Sequence, residues 1–334
     1  MPFHLHFGEH DLLHCRFAIS PIWETQSAIR TLIRPDSHGY HLPWLRRIKE
    51  KAEGLDLAPA LLLIPQRGRS PDFWAPPPTG ALATFEEEIE RVRATPAEVA
   101  YTDLYLTLVE RPGALESPLG RRMLDDPAAA VQLLADCLEQ AWHVLIAPDW
   151  PRLRALLEAD IAYHSRVLAA VGFRAMLGEL NPNLRWHGST LTIVSSLGEY
   201  ERELHGEGLV LMPSVFTWPD VASGQDEPWQ PAVIYPARGI GGLWSEGGAR
   251  TPEALARLLG RARADVLCAL ADPASTSALA GRLGLAPSSV SAHLSALKGA
   301  GLLASRRYGH QVLYERTPLG IALAGAEGLA ASEG

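Results

Sequence analysis

The chain has 334 residues, 47% of them apolar and 20% charged, with a net charge of −8; that is ordinary for a globular protein and enough chain for two or three domains of roughly 100–200 residues each. An acidic balance argues against a protein that coats nucleic acid along its whole length. The opening MPFHLHFGEHDLLHCRF has no basic stretch followed by an apolar run, and no apolar stretch approaches the ~20 residues of a membrane span, so a cytoplasmic chain without leader or membrane segment is expected.

Phe3, Leu5 and Phe7 alternate with His4 and His6, which predicts a strand. Ser20-Pro21 caps a helix that runs to about Leu32, where Pro35 follows, and Pro43 opens a second helix in the same way. Pro65, Pro71, Pro76, Pro77 and Pro78 exclude regular structure over residues 65–80. Residues 84–147 carry a helical pattern punctuated by Pro96, Pro112, Pro118 and Pro127. Asp149-Trp150-Pro151 begins a long helix reaching about Leu180, with Leu153, Leu156, Leu157, Ile161, Leu168 and Val171 as its apolar stripe. Residues 191–195, 209–216 and 232–235 read as strands. All nine tryptophans precede residue 245, and a Gly-rich stretch at 238–250 falls at the same place. The expected fold class is therefore α+β: a mostly helical N-terminal domain with a small sheet, residues 1–244, followed by a second domain, residues 245–334.

The second domain is read from its punctuation. A helix runs from Thr251-Pro252-Glu253 through Leu255, Leu258, Leu259 and Val266 to Leu270, and Asp272-Pro273 stops it. Ser275 or Thr276 caps a short helix ending at Leu283, Gly284-Leu285 makes a tight turn, and Ala286-Pro287-Ser288-Ser289 opens another helix to about Ala300. Leu279, Leu283, Val290 and Leu294 sit where the two helices must bury against each other. Residues 302–308 and 311–316 form a hairpin around Gly309-His310, with Arg306, Arg307 and His310 near its tip. A short helix, a glycine turn and a second helix with a polar N-terminal half make a DNA-reading unit, and the basic hairpin makes its wing, so residues 245–334 are expected to be a winged helix-turn-helix domain. Charge agrees: residues 251–316 hold eight Lys/Arg against four acids, a net +4 that leaves −12 for the remainder.

The run Ala280-Gly-Arg-Leu-Gly-Leu-Ala-Pro-Ser-Ser-Val-Ser-Ala-His-Leu-Ser-Ala-Leu-Lys-Gly-Ala-Gly-Leu-Leu303 resembles the arsenic-repressor (ArsR-type) winged-helix regulators over about residues 251–325. The resemblance implies a homodimer on an inverted repeat of duplex DNA, usually repressing, that releases DNA when an effector binds. It also implies pairing through the flanking segments, here 253–270 and 317–330. Two departures stand out. Ala292 occupies a position where many relatives carry Arg or Gln, and the site where metal-sensing members hold cysteines reads Ala274-Ser-Thr-Ser-Ala-Leu279, so metal sensing there is not expected. The phrase Arg16-Phe-Ala-Ile-Ser-Pro-Ile-Trp-Glu-Thr25 resembles the extra domain of long actinobacterial-type regulators, a likeness that implies no biochemical role.

Candidate site residues follow. Ser288, Ser289, Ser291 and His293, in the first turns of the second helix, can reach bases or phosphates; Lys298, Arg306, Arg307 and His310 can hold phosphates. His4, His6, His10, His14 and Cys15 are the densest cluster of ligand types, but the two histidine spacings call for different secondary structures, and a polar strand face is the better reading. Cys15, Cys137 and Cys268 lie too far apart in sequence for a disulfide or zinc motif to be written, and read as free thiols. Trp23, Trp44, Trp142 and Trp186 are the candidates for lining an effector pocket that would take a small organic molecule. No nucleophile elbow, phosphate loop, GxGxxG or HExxH appears, so neither an enzyme nor a cofactor is expected. The rival expectation is a DNA-binding protein whose N-terminal domain is a ligand-free oligomerisation or docking scaffold.

Overall fold

The computed structural model describes residues 2–33, 39–64, 69–194, 200–217, 220–224, 227–244, 253–270, 273–308 and 311–324; the side chains of 306–308 and of a few single positions are outside it. The chain divides into two compact units, residues 1–34 with 48–237 and residues 35–47 with 238–334. The division expected after residue 244 is thus drawn after 237, and no compositional feature marks 35–47 as part of the second unit.

In the first unit β1 (Pro2–His6) and β2 (Arg16–Phe17) precede α1 (Pro21–Ile33). Pro21 stands in the first turn, where its missing N–H is not needed, and Ser20 Oγ accepts a hydrogen bond from Trp23 N at 3.0 Å. The division between units falls inside α2 (Leu42–Ala52). A helical layer follows: α3 (Ala58–Leu63), α4 (Phe85–Arg93), α5 (Ala97–Val109), α6 (Pro118–Asp125) and α7 (Pro127–Ala141). Their starts are chemical. Thr84 and Glu87 form a reciprocal capping box on α4, and the Ser117 and Asp126 side chains accept from Gly120 N and Ala129 N on α6 and α7. α7 is the hub, burying Val131, Leu134 and Leu138 among α4, α5 and α6 and taking the Trp74 indole N–H on Leu134 O at 3.2 Å.

The long helix expected over 150–180 is two helices, α8 (Trp150–Val171) and α9 (Phe173–Leu180), broken at Gly172. Six strands complete the unit: β3 (Leu184–His187), β4 (Thr190–Val194), β5 (Tyr200–Glu203), β6 (Val210–Ser214), β7 (Ala222–Gly224) and β8 (Ala232–Pro236). They form two four-stranded sheets where one small sheet was expected, in the orders β3-β4-β1-β5 and β2-β6-β8-β7. β6 and β8 pair in parallel and are buried along their whole length, so their sequences read as continuous apolar runs. A shared core of Leu5, Leu191 and Ile193 from the first sheet and Leu211, Val233 and Tyr235 from the second closes over Met176 and Leu177 of α9. His4 and His6 lie on the polar face: their Nδ1 atoms meet Thr192 Oγ1 at 3.0 Å and Thr190 Oγ1 at 2.9 Å, and His6 Nε2 meets Glu201 at 2.7 Å. That is the polar strand face read from the alternation. The three cysteines are free thiols, and no helix among the described residues is long and apolar enough to cross a membrane.

The second unit contains α10 (Glu253–Leu259), α11 (Arg261–Ala269), β9 (Ala274–Ser275), α12 (Thr276–Leu283), α13 (Pro287–Gly299), β10 (Leu303–Tyr308), β11 (Gln311–Arg316) and α14 (Pro318–Ala324). The helix expected over 251–270 breaks at Gly260, whose φ of +85° closes the first helix and turns the chain into the second. His41, Trp44 and Arg47 form a cluster around Trp244. Its indole stacks on Trp44 with centroids 6.1 Å apart, donates to His41 Nδ1 at 3.0 Å and lies under the Arg47 guanidinium at 5.3 Å.

Candidate nucleic-acid interface

The core of the second unit determines which face of α13 is left to solvent. Val290, Leu294 and Leu297 recur at helical spacing and are buried with Leu279 and Ala280 of α12, Leu267 of α11 and Leu302. Leu283 packs half-buried on the same cluster. With one stripe committed inward, Ser288, Ser289, Ser291, Ala292 and Ser295 are exposed and His293 is half-buried at the edge. The face is low in relief: four hydroxyls and a methyl, with no long side chain to hold another surface away. Ser295 belongs to it and was not singled out from sequence; a count of four residues on from Ser291 would have found it.

Both helices are held by local chemistry. Ser275 Oγ caps α12 by accepting from Ala278 N at 3.3 Å, which decides between the two residues considered for that cap. Gly284, at φ +65°, takes the left-handed conformation that joins α12 to α13. At the far end Leu302 N donates to Leu297 O at 3.0 Å and Gly301 N to Lys298 O at 2.9 Å, the paired closure of a Schellman motif, which leads the chain into the wing.

The wing is a three-stranded sheet in the order β10-β11-β9, with Ser305 opposite Tyr314, Arg306 opposite Leu313 and Arg307 opposite Val312. The strand β9 was missed in sequence because two residues have no periodicity to read; it pairs Ser275 with Leu313 and Ala274 with Tyr314. Lys298, at the end of α13, donates to Ser305 Oγ at 2.6 Å and so ties helix to wing. Two further cations serve the frame: Arg282 donates to Ala269 O at 2.5 Å and Arg316 to Cys268 O at 2.8 Å. The side chains of Arg306 and Arg307, and His310 as a whole, lie outside the described residues.

The four tryptophans named as pocket candidates do not converge. Trp23 donates to Thr217 Oγ1 at 3.3 Å and packs on the sheet face of Val210, Met212 and Ile234. Trp44 is in the Trp244 cluster. Trp142 stacks on Phe85 at 4.6 Å and meets Trp150 edge-on at 5.2 Å, and Trp186 packs against Phe7 at 4.7 Å while donating to Gly188 O at 2.7 Å. A large ring with one N–H finds its own partners where it lies, so an abundance of tryptophan does not by itself build a cavity. None of the four lines the open groove in the first unit, which is bounded by Leu13, Arg16, Glu207, Pro228 and Gln230.

Residues 258–306 match the family model described as a helix-turn-helix domain, of the ArsR-type winged-helix kind, and residues 81–241 match a family of unknown function, DUF5937. None of the curated proteins and none of the solved structures matches the chain. The buried helix pair, the strand-paired wing and these matches together give the chain an ArsR-type winged helix-turn-helix domain, preceded by a domain of that family of unknown function, and support a DNA-binding transcription regulator.

Proposed function

We propose that the protein is a homodimeric repressor that reads an inverted repeat with α13 and grips the flanking phosphates with its wing. The observation that carries this reading is the exposed serine face of α13, presented by an inward stripe of Val290, Leu294 and Leu297 and braced to the wing by Lys298. Ser288, Ser289, Ser291 and Ser295 present short donors and acceptors suited to base edges and phosphates, with His293 at the margin. Lys298 keeps two ammonium protons beyond its bond to Ser305, and with Arg306, Arg307 and His310 it supplies the phosphate contacts. The first unit senses a small organic effector that favours one dimer geometry over the other; equal affinity for both would shift nothing.

A second reading has its own observation. On α5 the exposed rings of Tyr101 and Tyr105 stack 6.3 Å apart, and Val109 continues the stripe in solvent. A docking scaffold would show such a face. Selection of bound duplexes from a random pool by the full-length chain tests the main reading. The expected result is a two-fold symmetric consensus with half-sites about one helical turn apart, ~10 base pairs. A pool that stays unenriched at the salt concentration where binding persists would overturn it.

A further inference from the structure

The open groove in the first unit has a volume of about 620 Å³, within the usual range for small-molecule sites. Its floor is rigid. Asp11, fully buried, accepts from Gly206 N at 2.9 Å and Gly208 N at 3.0 Å with one carboxylate oxygen and from Gly8 N at 2.7 Å with the other. The loop that it holds touches the turn at His14 so closely that a Cβ on Gly208 would lie 2.5 Å from the His14 carbonyl carbon. The side wall is also locked: Gln230 donates to Glu207 O at 2.6 Å, and its own oxygen accepts from Arg16 at 3.1 Å.

The charges of this groove do not balance. The Glu207 carboxylate is taken by Arg202 at 2.6 Å. Arg16 has only neutral acceptors, the carbonyls of Pro78 and Gly80 and the Gln230 amide, and no carboxylate within ion-pair distance among the described residues. Burial, and secondly the charge of Arg91, hold its pKa below the ordinary value, the mark of a cation short of a counter-ion. Leu13, 77% exposed, and Pro228 supply apolar contact beside it. Cys15, at the same place, is no nucleophile: its thiol donates to Asp11 O, and burial pushes its pKa up to about 11.

We propose that this groove binds a small amphiphilic carboxylate, its carboxylate on Arg16 and its hydrocarbon part over Leu13 and Pro228. One fixed guanidinium matches a single negative charge, and the two apolar residues reward a ligand that inorganic anions cannot imitate. The proposal rests on the reading of the first unit as the sensing domain and gives that reading its ligand class.

Saturation-transfer NMR on the full-length chain, with hexanoate, hexanol and inorganic phosphate as probes, tests it. Hexanoate is expected to bind, and hexanol and phosphate at least about tenfold more weakly, the worth of one charge-assisted contact. Arg16→Gln should abolish the preference. Because Arg16 also holds the loop at Pro78 and Gly80, Leu13→Glu provides the independent check: it sets a like charge at an exposed position and should weaken hexanoate at least about tenfold with the thermal midpoint unchanged. Hexanoate binding that survives both substitutions, phosphate that competes on equal terms, or a wild-type chain that does not bind hexanoate would each overturn the proposal. Operator affinity measured with and without hexanoate separates the two claims. Binding that leaves operator affinity unmoved supports the groove and counts against the sensing reading.

Discussion

Lys298 spends one proton on Ser305, so its charge is positioned before any DNA arrives. If it and Arg307 contact phosphates, Lys298→Ala and Arg307→Ala should each weaken binding about equally on every sequence and lower the salt slope by about one unit. Anisotropy titrations over a range of salt read this directly, and an unchanged slope for both would place the interface elsewhere. Two interior carboxyls make a second prediction. Burial pushes Glu24 and Glu88 up to about 8, against the opposing pull of the Val215 and Phe216 N–H groups on the first and of Ile22 N–H, Ser20 and Arg91 on the second. The unfolded chain loses these protons near 4.5 and the folded chain holds them to about 8, so folding takes up protons within that window. Stability is then fullest below the lower value and falls as pH rises towards the upper one, by on the order of 1 kcal/mol per pH unit for each carboxyl. Glu24→Gln, which keeps an acceptor for the Val215 N–H and has no proton to lose, should flatten that slope in urea unfolding of the full chain. A slope that persists undiminished would mean the carboxyl is already ionised in the folded protein.

Among the elements, α13 depends on a single inward stripe. Leu294→Ala should cost about 2–5 kcal/mol in the unfolding of the second unit, as removal of a buried isobutyl group does, with operator binding lost in parallel. Calorimetry that finds the second unit unperturbed would show that the stripe is not what holds the helix. That stripe and its counterpart on α12 explain why this unit was legible in the sequence: Leu279 and Leu283 on α12, and Val290 and Leu294 on α13, each recur at helical spacing, and Gly284, Pro287 and Gly301 punctuate them. The first unit was half legible. Its helices carry caps and stripes, whereas β2, β5 and β7 are short, and β2 and β5 take their partners from remote stretches. β1, for instance, pairs with β4 and β5, nearly two hundred residues on. Glycine inside a helical stripe misled in both units, because periodicity continues across Gly172 and Gly260 while the backbone does not. Counting tryptophans misled for a different reason, since a ring's partners are set by tertiary packing, and the groove that carries an unbalanced charge is lined by Arg16, Gln230 and Glu207, which no local pattern joins.

At the scale of the whole molecule, the proposed reading of an inverted repeat needs two winged helices related by a two-fold axis, so the interface of the proposed dimer would be self-complementary. The flanking helices offer candidates for it. Leu258 on α10 is 70% exposed and Leu319 on α14 is 55% exposed, although the neighbours Leu255 and Ile321 on the same helices are buried. Exposed leucines on otherwise amphipathic helices are what an interface within 253–270 and 317–330 would leave uncovered in a single chain. Leu258→Glu and Leu319→Glu act at positions more than half exposed in that chain, so its fold should survive and its melting should change little. In the dimer each substitution meets its own copy across the axis or a desolvated apolar surface, and either is costly. Sedimentation should then show a dimer for the natural chain and a shift towards monomer for the double substitution. Operator affinity should fall together with dimerisation, and affinity for an isolated half-site should be retained. A double variant that remains dimeric would move the interface away from these helices, and a monomer that still bound the full inverted repeat at undiminished affinity would rule out the two-fold reading itself.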